Sequence, residues 1–86
     1  MGNKKKVFLT DMKNGQNGVV IGVSGGIGII SKLEALGVRK GVKILKKSAH
    51  IGRGPIIVIA CGTEMAIGYG MASRIIVEVA QWRKYF

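Results

Sequence analysis

Aliphatic residues recur two apart along much of this chain, and glycine interrupts them wherever a small sheet would have to turn. The β-branched run Val19-Val20-Ile21 suits a pleated, half-buried surface and predicts a first strand over 18–23. Ahead of it, residues 9–14 read as a short helical turn or irregular entry, with Met12 pointing inward and Asn14-Gly15 closing it. After Ser24-Gly25-Gly26, the residues Ile29, Leu33 and Leu36 are spaced as one apolar helical stripe. Gly37 then stands where a left-handed cap residue belongs, and Val38 where the contact that seals such a cap would pack. Residues 42–47 and 55–61 predict a second and third strand, joined by a Gly/Ser loop over 48–54. Pro55 cannot donate a ladder hydrogen bond, so it belongs at a strand start or on an edge. A fourth strand is predicted near 64–68, a tight turn over 69–73 and a fifth strand over 74–79. The sum is a mostly β fold, a small β-barrel of about five strands with one short α-helix.

Alternation assigns faces within these strands. If Ile56, Val58 and Ala60 point to the core, Ile57 and Ile59 point away from it, because neighbouring side chains leave a strand on opposite sides. By the same rule Ile75, Val77 and Val79 go in while Ile76 and Glu78 go out, and Val42 and Ile44 go in while Lys43, Leu45 and Lys47 go out. Leu45, Ile57, Ile59 and Ile76 thus form a candidate outward apolar patch beside Lys43 and Lys47. A contiguous exposed apolar patch marks a contact surface. The bland reading is that the helix or the C-terminal tail covers it.

Composition bounds the rest. Eighty-six residues make a single domain over 1–86 with a small core, since so short a chain buries only about 60 to 65% of its unfolded surface. Within it, residues 1–6 read as a basic N-terminal arm and 81–86 as an aromatic and basic tail. Hydrophobic residues are 48% of the chain but aromatics only 6%, so aliphatics must fill the interior. The longest unbroken apolar run, Ile56 to Cys61, is far short of the roughly 20 residues a membrane span needs, and Val7-Phe8-Leu9 is too brief for a signal peptide. A cytoplasmic location follows as the expectation, at most peripheral to the inner face of a membrane. Fourteen Lys and Arg against four Asp and Glu give a charge of +10, which draws the chain toward acidic partners without choosing among nucleic acid, lipid head groups and acidic proteins. A basic small barrel holding nucleic acid is therefore the alternative function, although the predicted strands offer no aromatic stacking platform apart from Tyr69 at a turn.

No catalytic constellation is visible, and the chain reads as a binding module rather than an enzyme. His50 has no carboxylate or Cys near it in sequence, and Cys61 with Glu64 falls short of the ligands a metal site needs in one chain. No cofactor is expected. The stretch from Val19 to Gly28 imitates the strand, Gly-rich turn and helix that hold a dinucleotide. That fold needs further βαβ units and an acidic residue about 20 positions on, where this chain places Lys40, Lys43, Lys46 and Lys47.

Taken in order, Leu9, Gly15 and Gly18, Gly25-Gly26, Leu33-Glu34-Ala35-Leu36-Gly37-Val38, Lys40-Gly41, Gly54-Pro55-Ile56 with Val58, Ala60 and Gly62, and Ala72 with Ile75 and Val77 resemble the bacterial ferrous iron transport protein A family. The likeness covers most of the chain. It departs at Lys40, where the family has Pro, at Ala60, where it has Val, and at Gly68-Tyr69-Gly70, where it is basic. The resemblance implies an SH3-like barrel (FeoA-like) that acts by protein contact as a cytoplasmic accessory of ferrous iron uptake. It further implies a membrane iron permease with a GTP-binding domain as partner. Under that implication Leu45, Ile57, Ile59, Ile76, Lys43 and Lys47 would dock the permease or a second copy of the chain.

Overall fold

The computed structural model describes residues 2–49 and 52–82; His50 and the tail residues Arg83, Lys84, Tyr85 and Phe86 lie outside it. Its strands are β1 (Gly2–Phe8), β2 (Asn17–Val23), β3 (Lys43–Ala49), β4 (Ile56–Ala60), β5 (Thr63–Ile67) and β6 (Ile75–Trp82). A 3-10 turn (Leu9–Asp11), the helix α1 (Ile27–Ala35) and the single helical turn α2 (Tyr69–Ala72) connect them. All pairings are antiparallel, in the order β1-β6-β2-β3-β4-β5.

The strands expected from alternation are present, and there is one more. Lys4, Lys5 and Lys6 do not form an arm. They sit in β1, paired residue for residue with β6 from Gly2 opposite Trp82 to Phe8 opposite Ile76. The lysine run conceals the strand because Lys4, Lys5 and Lys6 are all exposed and show no apolar alternation; Val7, opposite buried Val77, is the residue that marks the inner face. Strand β6 likewise runs through Gln81 and Trp82, past its expected end at Val79.

Strand β2 makes the curvature. Its first residues pair with β3, Asn17 opposite Leu45 and Val19 opposite Lys43, and its later residues pair with β6. A shift in register between Val20 and Gly22 bends it between the two partners, as a bulge does. Where β2 crosses β6 the backbones are so close that a Cβ on Gly18 would collide with Val77 Cγ1 and stand 2.9 Å from the Glu78 carbonyl oxygen. Position 18 has no room for a side chain.

Side chains from the inner face of the sheet and from its connections fill the core. Ile44, Val58, Ile75, Val77, Leu9 and Leu33 are all fully buried. Helix α1 ends as its sequence dictates. The Val38 amide donates to the Leu33 carbonyl at 2.8 Å, the Gly37 amide to Glu34 at 2.9 Å, and Gly37 adopts φ +90°. That is the Schellman arrangement, and it drives Val38 into the core. The glycine-rich stretch after β2 does lead into a helix, but the next strand returns antiparallel to β2, so no parallel dinucleotide crossover exists among the described residues.

Candidate functional site

Alternation holds along β4: Ile56, Val58 and Ala60 are buried, and Ile57 and Ile59 are half-buried on the opposite face. Leu45 on β3 lies directly opposite Ile59, which places both side chains on the outer wall. Together with Asn17, Lys43 and Cys61 they line a shallow hollow beside the β4–β5 turn. Ile57 continues the apolar row along β4, opposite Ala66 of β5.

Two of the expected patch residues are placed differently. Ile76 does not join Leu45 and Ile59: it faces Phe8 on β1 and Gly22 on β2. Gly22 is five residues along β2 from the Asn17 that faces Leu45, about 16 Å at strand rise. Ile76 instead lines a separate hollow with Phe8, Lys5, Lys6 and Asp11. Periodicity within one strand assigned the face correctly but carried no information on which strands are neighbours. Lys47 is outward, yet it is not a free charge, because its Nζ lies 2.7 Å from Glu64 Oε1 across the sheet. The reason is a bulge: Lys46 opposes Val58 and Ser48 opposes Ile57, leaving Lys47 as the extra residue, turned toward β5. Lys43 is exposed and has no ion pair among the described residues.

Cys61 and Glu64 do not converge on a ligand site. Glu64 is held by Lys47, and the Cys61 thiol, on a residue with φ +52°, points toward the Gly37 carbonyl at 3.8 Å. Among the described residues no group of three or more His, Cys, Asp and Glu stands close enough to hold a metal ion. Tyr69, the one aromatic considered for base stacking, carries the Arg53 guanidinium 5.7 Å over its ring. Among the described residues no helix is long and apolar enough to cross a membrane.

Sequence reasoning missed one lysine. Lys46 is only 4% exposed, and its Nζ donates to the Met12 carbonyl at 2.6 Å and the Thr10 carbonyl at 3.1 Å. Burial holds its pKa below the ordinary lysine range, and the charge of Asp11 acts the other way without reversing it. The ammonium thus ties the 3-10 turn to β3 and satisfies two carbonyls that the turn leaves without partners. Parity was the available signal, since position 46 shares its face with Ile44.

The FeoA domain family matches residues 7–79 of the chain. A protein of Methanocaldococcus jannaschii named Fe(2+) transport protein A is 33% identical over 70 residues, covering 81% of this chain and 83% of its own. The crystal structure of an iron uptake regulatory protein, FeoA, aligns with a TM-score of 0.81 at 34% identity, covering 88% of this chain and 99% of that one. The zinc-complexed FeoA of Stenotrophomonas maltophilia, described as a procaryotic SH3 domain protein, shares the fold with a TM-score of 0.71 at 24% identity, over 83% of this chain and 88% of its own.

Proposed function

The chain belongs to the FeoA domain family, whose members are accessory proteins of ferrous iron transport, and on that premise we propose that it binds and modulates a membrane iron permease through the permease's GTP-binding domain. The observation that carries this reading is the apolar pair Leu45 and Ile59, held face to face on the outer wall beside Lys43, which has no ion pair among the described residues. Leucine and isoleucine on the solvent side of a small sheet gain little from burial in the monomer, whereas a partner that covers them removes apolar surface from water. The chemistry is that of contact. The charge of +10 adds electrostatic attraction to any acidic partner and accelerates encounter. On this reading the protein works in the cytoplasm, at the inner face of the membrane where the permease's soluble domain lies.

Replacing Ile57 with Lys and Ile59 with Thr tests it. The variant is expected to keep the wild-type circular dichroism spectrum and to lose capture of the purified GTP-binding domain. Capture at wild-type strength by a folded variant contradicts the reading, and an unfolded variant assigns the two isoleucines to the core.

A further inference from the structure

The outer wall carries its row of side chains beyond the β3–β4 pair. Val19 on β2 lies opposite Lys43 on one side and Glu78 on the other, and Lys4 on β1 lies opposite Ala80. These residues line a second hollow of about 440 Å³ across β1, β6, β2 and β3, and it shares Asn17 and Lys43 with the hollow at Leu45 and Ile59. The two are therefore one band. Its floor is apolar, made by Ala80, Val19, Leu45 and Ile59, with Lys4 at one end and Lys43 in the middle.

The charges on this wall are unbalanced. Glu78 is 3.7 Å from Lys4 and Glu64 is 2.7 Å from Lys47, so both acids of the wall already have a lysine. Lys43 has none among the described residues, and the Lys4 pair is loose and three-quarters exposed on the lysine side, so it can exchange for a better partner. A second copy of the chain brings another +10 to the contact, which opposes self-association. Among the described residues no aromatic side chain lines the band to supply the stacking surface that single-stranded nucleic acid uses. A small inorganic anion would leave the apolar floor wet.

We infer that this band receives an acidic segment of a partner protein, one that lays an apolar side chain on Val19, Leu45 and Ile59 and sets carboxylates against Lys4 and Lys43. The inference deepens the reading above, and rests on it, by naming the chemistry that the permease's soluble domain must present.

The experiment titrates the isotope-labelled full chain with an acetylated and amidated peptide, Glu-Glu-Leu-Phe-Glu-Glu, and with its Gln-for-Glu counterpart. Expected are shifts of the Val19, Lys43, Leu45 and Ile59 amides with the acidic peptide and binding about tenfold weaker or worse for the Gln peptide. The pair Lys4→Gln with Lys43→Gln should weaken the acidic peptide about tenfold, whereas Lys32→Gln with Lys40→Gln, which removes equal charge elsewhere, should leave it within about twofold. Equal loss from both pairs, equal binding of both peptides, shifts centred elsewhere, or no binding at all would overturn the inference. Capture of the permease's GTP-binding domain by the same variants separates the two proposals. Wild-type capture that survives Lys4→Gln with Lys43→Gln leaves the proposed function standing and removes this one. Absence of capture by wild type removes the proposed function, while the peptide titration still decides whether the band binds acidic segments.

Discussion

The two faces of the β3–β4 ladder are nearly matched in composition and opposite in situation. Inward, Ile44, Ile56, Val58 and Ala60 are fully buried; outward, Leu45, Ile57 and Ile59 remain half-buried in the monomer. A sheet covered on one side usually alternates apolar with polar. Here only the outward lysines of β3, Lys43 and Lys47, follow that rule, and β4 is aliphatic on both sides. The inner face accounts for the fold, and the outer face calls for something to cover it.

The widest gap between the faces should appear in stability. Ile44→Ala is expected to lower unfolding free energy by about 2 to 5 kcal/mol, since the removed methylene groups leave a cavity in a fully packed site. Leu45→Ala, one residue on, should lower it by less than about 1 kcal/mol. Urea denaturation of the two variants checks this, and equal losses would erase the distinction between faces.

Backbone approach sharpens the inner-face account. Gly18→Ala places a Cβ against Val77 and the Glu78 carbonyl and should cost about 1 to 3 kcal/mol, measured as a lower denaturation midpoint. Gly22→Ala, a β2 position with open space around it, serves as the control and should cost less.

Lys46 is the exception to an apolar inner face. Lys46→Met leaves the Thr10 and Met12 carbonyls without their donor and should destabilise by about 1 to 3 kcal/mol. The pH dependence has a definite sign. Below the lowered pKa the ammonium is protonated in both folded and unfolded chains, and the cost of burying it is present in full. Above it, the folded chain releases its proton before the unfolded chain does. The wild type should therefore gain stability relative to Lys46→Met as pH rises toward the ordinary lysine value of about 10.4. A stability difference that shrinks with pH would contradict this.

On the outer face the smallest stability effects accompany the largest functional ones. Ile57→Lys with Ile59→Thr should change stability by less than about 1 kcal/mol while abolishing partner capture.

The pattern of side chains was sufficient for the strands it could reach. The buried trio of β4, the inward Val77 and Val79, and the Gly37-Val38 helix end all follow from local spacing, because alternation and capping are local rules. What escaped was everything that depends on which strands become neighbours. Lys4 to Lys6 read as an arm because no local feature marks a lysine run as the partner of β6. Ile76 was grouped with Ile59 because parity names a face and not a place on it. Lys47 was read as outward beside the patch, and its pairing with Glu64 was not legible because the bulge that turns it there is a property of register.

A rival apolar surface exists on the helix side of the molecule, where Ile27 is 84% and Leu36 49% exposed. Methyl-labelled NMR of the chain, titrated with the permease's soluble GTP-binding domain, chooses between the two surfaces directly. Broadening or shifts at the methyl groups of Leu45, Ile57 and Ile59, with Ile27 and Leu36 unmoved, is the predicted result. Perturbation confined to Ile27 and Leu36, or none at saturating concentrations, would contradict the outer wall as the docking surface.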